Sequence, residues 1–182
     1  MDLSCPMRIK ALGPDGREEY IYSLIIVDKW TRKRWDIPLA DKTEVPAALL
    51  QWIITSNAHC VNKVKRLHSD NGTEFASKAV KAICDEFHIS QTFAVTYEPR
   101  QNPYVEHSIG ITTPLARAML ATSMAPIKLW WFTRNYTTEI VNIFGMSRDF
   151  SPDELFYQTV LDASLFYPFG CHCWAWMNRK LA

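Results

Sequence analysis

The stretch from 20 to 27, Tyr-Ile-Tyr-Ser-Leu-Ile-Ile-Val, constrains the fold of this chain more than any other. It is β-branched, aromatic and almost continuously apolar, which predicts a strand. A strand with one wet face alternates apolar and polar residues. This one does not, so it predicts a sheet buried on both faces.

The remaining elements supply the layers. Residues 2–9 read as a first strand, interrupted by Pro6, and Gly13-Pro14-Asp15-Gly16 is turn chemistry. A short loop over 28–32 leads to a third strand at 33–39. Val45, Leu49, Trp52 and Ile53 recur at helical spacing within 44–58. Residues 64–69 form a fourth strand running into Asp70-Asn71-Gly72. A helix is expected from about 73 to 87, with Asn71 as its cap and Glu74 closing a capping box. A fifth strand covers 89–95. Asn102-Pro103 has the cap-then-proline order of a helix start. Further helices are expected at 129–144 and around 153–157. The order is mixed α/β: a five-stranded sheet, three antiparallel strands then parallel ones, flanked by helices. Residues 1–125 are expected to form the core, and 126–182 a helical and extended extension packed on it.

With 182 residues, 48% of them hydrophobic and seven Trp, the chain has enough apolar material to fold as a globular domain. Its net charge of +1 means that any nucleic-acid contact must come from locally concentrated basic residues. The longest apolar run, 24–27, is far too short to span a bilayer. The start lacks signal-peptide character, so the five cysteines read as reduced thiols of an intracellular protein.

Three of the 19 acidic residues occupy positions where chemistry is built. Asp2 lies on the first strand, Asp70 at a strand-to-helix turn, and Glu106 in the first turn of the helix opened by Asn102. Sites in open α/β sheets gather at strand ends and nearby helix starts. Three converging carboxylates repel one another, and a hard divalent cation relieves that repulsion. Taken singly, each also has an ordinary reading: a terminal residue, a turn residue and a dipole-favoured first-turn acid. Asp28 ends the strongest strand too, but its loop reads as a hairpin with a turn-forming Asp.

The block Leu67-His68-Ser69-Asp70-Asn71-Gly72-Thr73-Glu74-Phe75 resembles the signature of retroviral and retrotransposon integrases around their second catalytic Asp. Glu106 follows after 35 intervening residues, the spacing of that family's acidic triad. Pro99-Arg100-Gln101-Asn102 is similar to the lead-in to the catalytic Glu, and Asp2-Leu3-Ser4-Cys5-Pro6 to the surroundings of the first Asp. Ala116-Arg117-Ala118-Met119-Leu120, Trp130, Asn142, Ser151-Pro152-Asp153-Glu154-Leu155 and Phe169-Gly170-Cys171 keep the order of copia-type elements. The resemblance implies an RNase H-like fold and a DNA-integrating enzyme, performing 3′-end processing and strand transfer. It implies that Asp2, Asp70 and Glu106 hold two Mg²⁺ or Mn²⁺ ions. It implies element ends and target DNA as partners, action in the nucleus, no membrane, a homodimer, and zinc-binding and C-terminal polyprotein domains outside this chain. Residues expected to touch nucleic acid are Lys65, Arg66, Asn71, Arg100, Gln101, Asn102 and Arg117.

The chain departs from that pattern after Glu106. His107-Ser108-Ile109-Gly110 stands where a basic run is usual, which removes phosphate contacts. Pro114 falls inside the same helix, where a proline costs about 3 kcal/mol unless the helix kinks, so a kink is expected between 109 and 114. These departures keep open a second reading, a decayed polyprotein fragment that at most binds nucleic acid. Cys171-His172-Cys173 and the Cys84/His88 pair lack the full spacing of a zinc site.

Overall fold

The computed structural model describes residues 1–4, 6–60, 62–94, 102–145, 149–160 and 162–172. The doubly buried strand is β4, Tyr22–Val27, the middle of an antiparallel sheet with β1, Asp2–Leu3, and β5, Arg34–Leu39. Leu24 and Ile26 point to one face and Ser23 and Ile25 to the other, and all four are buried. Leu24 and Ile26 pack into a core with Val45, Leu49 and Ile53 of α1, Val45–His59, and with Val80 and Ile83 of α2, Lys78–Glu86. On the opposite face lie α3, Pro103–Thr122, and α4, Trp130–Phe144, which contact β4 and β5 and pack on each other. The sheet is therefore covered on both sides, as the composition of β4 requires.

Gly13 to Gly16 turns a small hairpin between β2, Ala11–Leu12, and β3, Glu18–Tyr20. A Cβ on Gly13 would lie 1.8 Å from the Tyr20 ring, so no larger residue fits there. This hairpin joins Trp130 and Trp131 in a second apolar cluster, and the Trp130 indole donates to the Ile9 carbonyl at 2.9 Å.

The expected five-stranded sheet is resolved into separate ladders. β6, Arg66–Ser69, pairs in parallel with β7, Ser90–Phe93, apart from β1-β4-β5 and from the β2-β3 hairpin. Just before β1, the Met1 amino group donates to the His68 carbonyl of β6 at 2.6 Å.

Two local expectations also change. α2 starts at Lys78, capped by Ser77, whose hydroxyl accepts from Val80 N–H. Asn71 is not the cap of α2: its side-chain amide donates to the Ala94 carbonyl, and Glu74 pairs with Lys42 at 3.2 Å. The fully buried Phe75 holds residues 70–77 against the core as an irregular turn. α3 runs as one element through Pro114, burying Val105, Ser108, Thr112 and Ala116. Among the described residues, no helix is long and apolar enough to cross a membrane.

The C-terminal part is pinned by long-range polar contacts. Arg134 of α4 lies 2.8 Å from Asp36 of β5 in a buried ion pair. Lys33 pairs with Asp153 in α5, Pro152–Tyr157, whose start carries a complete Ser151/Glu154 capping box.

Candidate active site

Asp2, Asp70 and Glu106 sit on three elements that meet at one polar node. The node begins with Met1, whose amino group donates to the carbonyl of His68 on β6, two residues before Asp70. The carbonyl of Met1 in turn accepts from the Asn102 side chain at 3.0 Å. Asn102 immediately precedes α3, whose first turn carries Glu106. One residue thus ties together the strand bearing Asp2, the strand leading to Asp70 and the helix bearing Glu106. Asn102 occupies the expected cap position but makes no side-chain cap. Its amide is committed to the tether.

The surroundings of Asp2 show in its electrostatics. Burial raises the Asp2 carboxyl above the ordinary carboxylate range, and the charges of both Asp70 and Glu106 push it further up. The Met1 amino group, buried beside Asp2 and Asp70, is lowered to about 6. Its desolvation outweighs the attraction of the two carboxylates.

Asp2 senses the charges of Asp70 and Glu106, but the three do not close into a cluster. Among the described residues, no three His, Cys, Asp or Glu side chains form a group that could hold a metal. Each Asp is satisfied locally: Asp2 Oδ1 accepts from Leu3 N–H at 2.7 Å, and Asp70 Oδ1 from Gly72 N–H at 3.2 Å. The donor set itself, carboxylate oxygens from three elements with an exposed Asp70, fits a hard divalent cation.

The expected nucleic-acid residues are spread more widely. Asn71 ties the turn after Asp70 to the end of β7. Lys65 and Arg66 are exposed at the start of β6, roughly 13 Å along the strand from Asp70. They line a cleft of about 670 Å³ with Met1, Asn102 and Trp35. Arg117 is exposed on α3, about 16 Å along the helix from Glu106. Arg100 and Gln101 lie outside the described residues. Asp28 is a turn residue, as expected: its carboxylate accepts from both the N–H and the hydroxyl of Thr31, each at 2.7 Å.

Sequence reasoning missed three basic side chains beside the site. Lys29, Arg32 and Arg34 come from the β4–β5 connection, and Lys29 and Arg32 both lie over the ring of Tyr104, two residues before Glu106. Their spacing, on a loop and a strand end, carries no periodic signal.

Comparison with known proteins places the chain in a family. Residues 7–99, just over half of the chain, match the model of the integrase core domain. The chain belongs to the integrase core domain family. The matched stretch of the integrase core contains Asp70 but neither Asp2 nor Glu106, which rest on the node above. The chain is 26% identical over 129 residues to the retrovirus-related Pol polyprotein from transposon TNT 1-94 of Nicotiana tabacum. That alignment covers 71% of this chain and 9% of the relative. The chain spans about a tenth of the length of the curated relatives it matches. Among solved structures it is similar to the HTLV-2 integrase catalytic core domain in complex with magnesium. The TM-score is 0.58 at 15% identity, covering 75% of this chain and 84% of that one. It is also similar to a chain of the simian T-cell lymphotropic virus intasome, with a TM-score of 0.61 at 15% identity. That match covers 87% of this chain and 54% of the other. The fold is that of an integrase catalytic core.

Proposed function

We propose that this integrase core is the DNA-processing and strand-transfer domain of a retrotransposon Pol polyprotein, acting through Asp2, Asp70 and Glu106. The observation that carries the reading is the three-way tether: Met1 to His68, Asn102 to Met1, and both charges raising Asp2. Burial of Asp2 within reach of two further negative charges, both from distant parts of the chain, has no structural benefit of its own.

Asp2, Asp70 and Glu106 would hold the divalent ions, Mg²⁺ or Mn²⁺. Such ions, when bound, supply activation of an attacking hydroxyl and stabilisation of a leaving 3′ oxygen. The chain's own contribution is placement. Asn102 sets the distance between β1 and α3, and the turn over 70–77, anchored by Phe75, sets the height of Asp70. Asp2 and Asp70 would turn from their local N–H partners toward the ion. In this reading β7-β6-β1-β4-β5 act as one five-stranded layer joined through Met1. Residues 1–125 would be the catalytic core and 126–182 its packed extension, with Lys65, Arg66, Asn71, Arg100, Gln101, Asn102 and Arg117 along the DNA path. The setting would be nuclear and the assembly at least dimeric, as the intasome and HTLV-2 likenesses suggest.

The test is nicking and disintegration of branched DNA with Mn²⁺, with an Asp70→Asn control. Activity lost in the control supports the reading. Activity surviving it rules out the acidic site, and a wild-type protein that binds DNA without cutting it favours a non-catalytic remnant.

A further inference from the structure

The connection from β4 to β5 builds a second polar feature on the neighbouring side of α3. Arg34 is only 8% exposed, its Nε is buried without a hydrogen-bond partner, and among the described residues no carboxylate pairs with it. Only its backbone is satisfied, by Asn142. A buried, unpaired guanidinium is costly, and proteins keep such a group where something else supplies the counter-charge. Arg34 opens into a cleft of about 780 Å³ shared with Arg32, Tyr104 and His107, facing an apolar wall that includes Ile140 and Phe144. Among the described residues, no acidic side chain lines this cleft.

Arg32 adds an independent sign. Its φ is +67°, in the left-handed region that a long side chain rarely adopts. The strain is held by its N–H bond to the Asp28 carbonyl at 2.9 Å. Its guanidinium stacks 4.0 Å from the Tyr104 ring centroid. Glycine or asparagine would suit that backbone better, so the backbone does not itself call for an arginine. Its charge repels that of Arg34, and burial lowers the Arg34 pKa further. An anion between them removes both penalties.

We propose that Arg32, Arg34 and His107 form a phosphate pocket that takes one backbone phosphodiester of the DNA handled at the acidic site. The pocket rests on the reading above and replaces the basic run that α3 lacks after Glu106. Tyr104, Glu106 and His107 share one helical turn, so a strand held here is led past the carboxylates.

Two variants test it in the full chain. Arg34→Met removes an unpaired buried charge and is expected to keep or raise thermal stability. Arg32→Asn relaxes the left-handed strain and is expected to fold as well as the parent. Binding of a double-stranded oligonucleotide, followed by fluorescence anisotropy across a salt series, should weaken about tenfold in each. The slope of log Kd against log salt should fall by about one. Inorganic phosphate should shift the Arg34 Nε–H resonance of the parent protein. Asp70→Asn should retain DNA binding while losing strand joining, which separates this pocket from the acidic site. If the parent binds and joins DNA while both variants bind with unchanged affinity and salt slope, the pocket is refuted and the acidic site stands. Phosphate binding without any change in DNA affinity refutes it equally, since the pocket then holds a free anion.

Discussion

Asn142 offers the sharpest test of how the C-terminal part holds the sheet. β5 is an edge strand, and Arg34 turns its N–H and C=O away from β4. The Asn142 amide meets both: Oδ1 accepts from Arg34 N–H at 2.9 Å, and Nδ2 donates to Arg34 C=O at 2.8 Å. One side chain acts as a one-residue strand, closing an open edge that would otherwise expose unpaired groups. Asn142→Leu keeps the volume and removes both bonds. Each bond contributes about 1 kcal/mol, and leaving each buried backbone group unsatisfied costs roughly 1–3 kcal/mol. The expected loss is about 4 kcal/mol, a large fraction of a typical domain's 5–15 kcal/mol. For a chain of this length that lowers Tm by roughly 8–16 °C. Urea unfolding with an unchanged m-value is the assay. Asn142→Asp adds a second arm. The ionised carboxylate still accepts from Arg34 N–H but repels the Arg34 carbonyl. Burial and that repulsion raise the introduced carboxyl's pKa, so its cost is present above that pKa and shrinks as pH falls and the group protonates. A loss below about 1 kcal/mol in Asn142→Leu would show that water already serves this edge, and would refute the reasoning.

Three further outcomes are expected. Asn102→Ala should lower strand-transfer turnover at least tenfold while costing only about 1 kcal/mol of stability, because the tether places Glu106 relative to Asp2; parallel losses in both measurements would mean that Asn102 merely stabilises. Asp2→Asn should abolish catalysis yet raise Tm at neutral pH. The Asp2 pKa is raised in the fold, so its ionised form opposes folding above that pKa; the gain should fade on acidification toward the ordinary carboxylate range, and a gain independent of pH would contradict this. Phe75→Ala should cost about 3–5 kcal/mol in chemical denaturation, from a fully buried ring at the base of the Asp70 turn. A loss under about 1 kcal/mol would mean that the turn does not depend on that anchor.

What the residues determined alone is local. The apolar run of β4 demanded cover on both faces, and α1, α2, α3 and α4 provide it. The sequence located α1 and α4 within a residue or two and the start of α3 at Asn102-Pro103, and Asp28 was legible as a turn former because its partners lie three residues away. The acid spacing and its signature were legible as a resemblance. Tertiary structure decided whatever depended on a distant partner. Asn71 and Asn102 sit at cap-like positions, yet the first bonds Ala94 and the second Met1, 101 residues away. Glu74 serves Lys42 and not a capping box. The division of the sheet into separate ladders was not legible either, because pairing between strands is a tertiary matter. Arg32 and Arg34 share a cleft with His107 only because α3 packs on β4, the strand beside β5. Backbone propensity acts over a few residues and leaves a trace in the pattern. A polar side chain has several partners within reach of its chemistry, and packing alone chooses among them.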